Sequence, residues 1–158
     1  MKASAERPPA RLRIVIADDF VGLFADLPEL AGLREIGEVV RHAERPADER
    51  ALAGRLAGAA AVITVRAAFT RFPAELLASL PDLRLIAVAG TGTQDVDVGA
   101  ATRLGIAVTN AAGASARSVA ETTIGLVLAL AHHIARLDRA VRAGEWPQPL
   151  GCDVEGRT

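Results

Sequence analysis

At 158 residues, 51% of them hydrophobic, the chain has the size of one ordinary domain and enough apolar content to bury a core. Eighteen basic residues against 19 acidic ones leave a formal net charge of −1, which argues against a dedicated nucleic-acid binder. The single cysteine, Cys152, excludes an intrachain disulfide and fits a reducing cytoplasm; no Cys/His group has zinc-ligand spacing, so no metal is expected.

Residues 1–10, with Pro8-Pro9, read as a flexible lead-in without the apolar stretch of a secretory signal. Residues 12–17 (LRIVIA) are a short buried strand closed by Asp18-Asp19. After a mixed apolar segment, residues 38–40 form a second strand. Residues 48–56 have helical spacing, with Leu52 and Leu56 one turn apart, and Gly58 ends them. A third strand covers 61–65. A helix with proline in its first turn covers 73–80, where a missing N–H costs little. Residues 83–88 are the fourth strand, 98–104 a short helix stopped by Gly105, and 106–109 the fifth strand.

The strands are continuous apolar runs, as expected of strands buried on both faces, and they alternate with helices. This pattern predicts a flavodoxin-like doubly wound parallel five-stranded sheet over residues 11–110. A long helix follows. Ser118-Val119-Ala120-Glu121 matches a capping box, and the helical pattern continues to about Arg142, where Gly144 stops it and Trp146 anchors its end. Its middle is apolar all round, so one side needs a second domain, a second subunit, or both. Its most apolar run, 124–131, is shorter than the roughly 20 residues that span a bilayer, so no membrane is expected.

Ala89-Gly90-Thr91-Gly92-Thr93 follows the fourth strand, where ligands sit in open parallel sheets. A Gly-x-Gly turn there lets backbone N–H groups converge on a carboxylate or phosphate. The third glycine of a dinucleotide fingerprint would fall on Asp95, so this is not one; a tight turn with glycines for geometry alone is the other reading. Arg66, at the end of the third strand, is either a bidentate carboxylate holder or a solvated loop residue. Asp18-Asp19 raise a phosphoacceptor receiver domain. That reading fails, because the third and fifth strands end in Val65-Arg66 and Thr109-Asn110 and the only lysine is Lys2; the pair is read as turn and cap residues. His132 and His133 point about 100° apart on a helix and cannot share one ion. His42 reads as an exposed loop histidine.

VITVRAAFT, then LRLIAVAGTGTQDVDVGAATRLGIAVTNAAG, then SVAETTIGLVLALAHHIARLDRAVRAGEW, in this order and spacing, resemble the D-isomer-specific 2-hydroxyacid dehydrogenases. The resemblance covers roughly residues 11–158 and includes phosphoglycerate dehydrogenase-like and glyoxylate/hydroxypyruvate reductase-like members. It implies a substrate domain over 11–110, an inter-domain and dimerisation helix over 111–146, and, over 147–158, the approach to a Rossmann domain that binds NAD(H) or NADP(H). It implies that Arg66, Ala89, Gly90 and Thr91 face the carboxylate of a small 2-hydroxy or 2-keto acid, with Thr91 also near the nicotinamide. It further implies that Val119-Ala120-Glu121 heads the crossing helix and that a homodimer forms through that helix. Val88 stands where phosphoglycerate dehydrogenases often carry arginine, which speaks against a phosphorylated substrate. The dinucleotide fingerprint and the family's catalytic arginine, glutamate and histidine have no counterpart in these residues. The expectation is therefore that the isolated chain is inactive, binds no cofactor tightly, and depends on a Rossmann domain or partner chain. The other expectation is a non-catalytic module for small-anion binding or assembly.

Overall fold

The computed structural model describes residues 11–64 and 70–156. It divides into two compact units, residues 1–112 and 113–158.

The first unit runs β1 (Leu12–Ile16), α1 (Leu30–Ile36), β2 (Gly37–Arg41), α2 (Glu49–Leu56), β3 (Ala61–Thr64), α3 (Ala74–Ala78), β4 (Leu85–Val88), α4 (Val98–Arg103) and β5 (Ala107–Asn110). All neighbouring strands are parallel and lie in the order β2-β1-β3-β4-β5. This is the doubly wound order expected from the alternation of apolar runs and helices. Val40, Val15, Val62, Ile86 and Val108 are register partners across the sheet and so share one face. Against that face pack Leu52 and Leu56 of α2, Leu76 and Leu77 of α3, and Ala100 and Ala101 of α4. The second face holds Ile16 against Leu30, with Leu33, Val39 and Ile63 beside them. There α1 leaves an apolar hollow of about 340 Å³ lined by Ile14, Ala61, Ile63 and Leu85.

Local chemistry sets the element ends. Asp48 and Asp97 cap α2 and α4 by accepting the N–H groups of Ala51 and Ala100, both at 2.7 Å. Gly105, at φ +72°, turns the chain out of α4 in the left-handed region, as expected of a helix-ending glycine. The Arg13 guanidinium donates to the Arg55 and Ala57 carbonyls at the end of α2, at 3.0 and 2.6 Å. The helix α1 was not legible. It has seven residues, no side-chain cap at Glu29, and an internal glycine, Gly32.

The second unit corrects the expectation of one long helix. Helix α5 (Ala116–Ala131) ends at His132, and α6 (Ile134–Arg142) leaves it at 63°. His133 sits at φ 55°, ψ 27°, in the left-handed region, and the carbonyl of Ala131 accepts the Cys152 N–H at 2.9 Å instead of continuing the helix. His133 Nε2 lies 3.2 Å from the Leu150 carbonyl, so the segment after α6 closes on both sides of the break. The capping box is also displaced. Ser115 is the N-cap and makes no side-chain cap bond, while Ser118 is inside the helix, its carbonyl accepting the Thr122 hydroxyl. Trp146 anchors nothing: it is 77% exposed. Among the described residues no single helix is long and apolar enough to cross a membrane.

His42 is a further correction. It is half-buried, and its Nε2 is buried without a hydrogen-bond partner. Burial first, and then the charges of Arg55 and Arg13, hold its pKa below the usual 6.5. The unfolded chain therefore takes up the proton before the folded one does. The stability involved is full above about pH 6.5 and is lost as pH falls from there through the folded value. Urea midpoints of the chain should drop between about pH 7.5 and 5.5, and His42→Phe should flatten that drop. Equal slopes in the two proteins would exclude His42 as the cause.

Candidate functional site

All five strands point their carboxyl ends to one edge of the first unit. There β1 delivers Asp18 and Asp19, β2 delivers Arg41, β3 delivers Thr64, β4 delivers the turn Ala89-Gly90-Thr91, and β5 ends on Asn110.

The turn is fixed through its backbone. Ala89 N–H donates to the Thr64 carbonyl and Gly90 N–H to the Val88 carbonyl, both at 2.9 Å. From the β5 side, Ala111 N–H reaches the Gly90 carbonyl at 2.9 Å and the Asn110 side-chain amide donates to the Thr91 carbonyl at 2.7 Å. The turn's carbonyls are thus occupied by β5. No hydrogen bond among the described residues engages the N–H groups of Thr91 and Gly92, and both residues are exposed. Gly90 does not sit in the left-handed region, and a Cβ built on it meets nothing within 4 Å. Neither backbone strain nor packing among the described residues requires glycine there. What glycine leaves at Gly90 is room for another molecule to approach the backbone.

Ala89, Gly90 and Thr91 are therefore brought together as one exposed turn. Arg66 lies outside the described residues. Asn110, which the sequence places only at the end of the fifth strand, is tied to that turn. His132 and His133 lie in the second unit, and among the described residues no group of His, Cys, Asp and Glu could hold a metal ion.

The acidic pair is more than turn chemistry. Asp18 and Asp19 are both fully buried. Asp19 does act as a turn acceptor, taking the N–H groups of Leu23 at 2.7 Å and Phe24 at 2.9 Å. It also forms an ion pair with Arg41 Nε at 2.5 Å. Burial works to raise the Asp19 pKa. The Arg41 hydrogen bond, the Phe24 and Leu23 amides and the Arg41 charge together outweigh it and hold the carboxyl below 3.8. Asp18 accepts the Thr70 hydroxyl, and Thr64 Oγ1 lies 3.4 Å from both of its carboxylate oxygens. Sequence reasoning missed Thr64 and Thr70. A polar residue ending an otherwise apolar strand, two acidic residues after its neighbour, was the available signal.

A parallel α/β domain of this strand order belongs to the doubly wound class, in which ligands sit beyond the carboxyl ends of the strands. The family model described as "D-isomer specific 2-hydroxyacid dehydrogenase, catalytic domain" matches residues 15–148, and the chain belongs to that family. D-3-phosphoglycerate dehydrogenase of Archaeoglobus fulgidus is 39% identical over 91 residues, which are 56% of this chain and 17% of the relative. Hydroxypyruvate reductase of Thermotoga maritima is 41% identical over 99 residues, 61% of this chain and 32% of the relative. Among solved structures, an NADPH-dependent glyoxylate/hydroxypyruvate reductase from Sinorhizobium meliloti, in complex with NADP and malonate, is 27% identical with a TM-score of 0.70. That match covers 94% of this chain and 45% of the neighbour. The chain spans less than half the length of each of these three proteins.

The depressed pKa of Asp19 has a sign that can be measured. The stability it contributes is full above about pH 4 and disappears as pH falls through the lower folded-state value. Arg41→Met should cost about 2 kcal/mol near neutrality, the worth of a hydrogen bond to a buried charge. The same variant should also shift acid unfolding to higher pH. Denaturant titrations at pH 7 and 3.5 test both, and an unchanged acid midpoint would remove Arg41 from the account.

Proposed function

We propose that this chain supplies the substrate side of an NAD(P)-dependent oxidoreductase interconverting D-2-hydroxy acids and 2-keto acids. The observation that carries the reading is the exposed Ala89–Gly90–Thr91 turn, in which no partner among the described residues takes the N–H groups of Thr91 and Gly92 and none crowds Gly90. Two adjacent backbone N–H groups suit a carboxylate, and Arg66 would add the bidentate partner. Family membership supplies the reaction class, and the malonate and NADP bound by the Sinorhizobium meliloti relative are a carboxylic acid and a dinucleotide of the matching kinds.

The fit to the cofactor is partial. Thr91 suits the nicotinamide end. The described residues offer no strand, glycine-rich turn and helix that would cradle a pyrophosphate, since three residues after Gly92 comes Asp95. When bound, NAD(H) or NADP(H) supplies or takes the hydride. The work of this chain is to hold the acid by its carboxylate, fix its orientation through the turn, and present its C2 atom. The family's Rossmann domain or a partner chain would place the dinucleotide. Helix α5, with Ile124, Leu126 and Leu130 each at least 59% exposed, supplies apolar surface for a homodimer.

Two outcomes are expected of the 158-residue chain alone. Oxalate and glyoxylate should bind in about the millimolar range, moving the Thr91 and Gly92 amide resonances, without any oxidation of NADH or NADPH. Gly90→Val should abolish that binding and leave the melting temperature within about 1–2 °C, because its Cβ position is open. Turnover by the pure chain, or acid binding that leaves both amides unmoved, overturns the proposal. In sedimentation velocity the chain should self-associate, and Leu126→Glu with Leu130→Glu should return it to a monomer; association that survives both changes removes α5 from the interface.

A further inference from the structure

We infer that Asp18 is a positioning residue for the carboxylate-facing turn, acting through Thr64; this rests on the functional reading above and names a part of the same site.

The carboxylate of Asp18 is fully buried at the end of β1, as are Thr64 and Thr70. Asp18 is joined to residues on both sides of the connection from β3 to α3. Thr64 is the last residue of β3, and its hydroxyl lies 3.4 Å from each Asp18 oxygen. Thr70 is two residues before Phe72, and its hydroxyl donates to Asp18 Oδ2. The Phe72 backbone then pairs with Val96, Phe72 N–H donating to Asp95 O at 2.7 Å and Asp97 N–H to Phe72 O at 3.0 Å. One buried carboxylate therefore fastens the end of β3 and the start of the segment that leads to α3.

Thr64 carries the effect to the site. Its side chain faces Asp18 while its backbone carbonyl accepts the Ala89 N–H at 2.9 Å. Ala89 is the first residue of the turn, and its position sets where the Thr91 and Gly92 amides lie. The alternative is that Asp18 only fills and satisfies the edge of the sheet. Filling the edge does not by itself call for a carboxylate, since well-packed apolar residues can replace a buried polar cluster at little cost in stability. A carboxylate adds direction. It accepts several hydroxyls at defined angles, and an apolar side chain does not.

Two shape-conserving variants of the full chain test the assignment, Asp18→Asn and Thr64→Val. Oxalate binding is read from the Thr91 and Gly92 amide resonances, and hydrogen exchange of the Ala89 amide is read without ligand. Each variant should weaken oxalate by about tenfold, the loss expected from misplacing a binding group, and should speed Ala89 exchange. Val62→Ala serves as the control: it lies in the same strand and lowers stability, but its oxalate affinity should not change. If both variants bind oxalate as the wild type does, with Ala89 equally protected, the assignment is overturned while the functional reading stands. If they lose affinity only in proportion to stability, as Val62→Ala then also would, Asp18 is structural and the assignment is overturned. If the wild-type chain binds no oxalate at all, the functional reading falls and takes the assignment with it.

Discussion

The parallel register of β3, β4 and β5 is the constraint on which the carboxyl edge depends. Thr64 lies opposite Val88, and Val88 opposite Asn110. The slanted hydrogen bonds of a parallel pair let the first N–H beyond β4, that of Ala89, reach back to Thr64, and the first beyond β5, that of Ala111, reach Gly90. A slip of one residue would break both contacts and turn Thr64 to the other face. The row from Val40 through Val15, Val62 and Ile86 to Val108 opposes the slip, because it would take the slipped strand's side chains off the face that packs on α2, α3 and α4. The position of the turn is thus a consequence of packing some distance below it. Its own residues are small and exposed and have little packing with which to position themselves.

Charge is placed where that packing ends. Two carboxylates are fully buried at the end of β1, where burial alone is unfavourable by several kcal/mol per ion. Asp19 is offset by two amides and Arg41, whose side chain remains 31% exposed, so the pair spans the boundary between core and solvent. Arg55 holds the neighbouring loop by donating to the Glu44 and Arg45 carbonyls at 2.5 and 3.2 Å, and Arg45 covers the Phe20 ring at 4.4 Å. Burial first, and then the charges of Arg55 and Arg13, lower the pKa of the half-buried His42 beside this loop. The edge near β1 and β2 is stiffened by side chains, while the edge near β4 and β5 is stiffened through the backbone and kept open.

The sheet was legible because each strand is an apolar run bounded by polar or glycine residues, and a strand buried on both faces needs only that. The glycine turn was legible for the same reason, since its place after β4 follows from the strand itself. The role of Asp18, Thr64 and Thr70 was not legible. It depends on three residues from separate segments meeting at one point, and spacing along the chain carries no sign of that. The break after α5 was equally hidden. Every residue from Ser118 to Arg142 other than Gly125 is compatible with a helix, and the competing hydrogen bond from Cys152 comes from 21 residues beyond Ala131 (152 − 131). Asp48 and Asp97 are caps that the sequence reading did not single out, whereas Ser118 looked like one and is not. A capping pattern identifies a donor and acceptor set but not which turn uses it.

The two helices of the second unit make different demands on their surroundings. In α6, Ile134, Leu137 and Val141 recur at i, i+3 and i+7, so one stripe is apolar and one surface can cover it. In α5, Ile124 and Leu128 share one side, while Leu126 and Leu130 lie about 200° and 240° around the helix from Ile124 at about 100° per residue. All four are more than 40% exposed. A single partner surface covers at most one half of a helix. Leaving either pair in water forfeits about 1.5–3 kcal/mol for each leucine or isoleucine that could be buried. Burying both pairs would take two separate apolar surfaces, one on each side of α5.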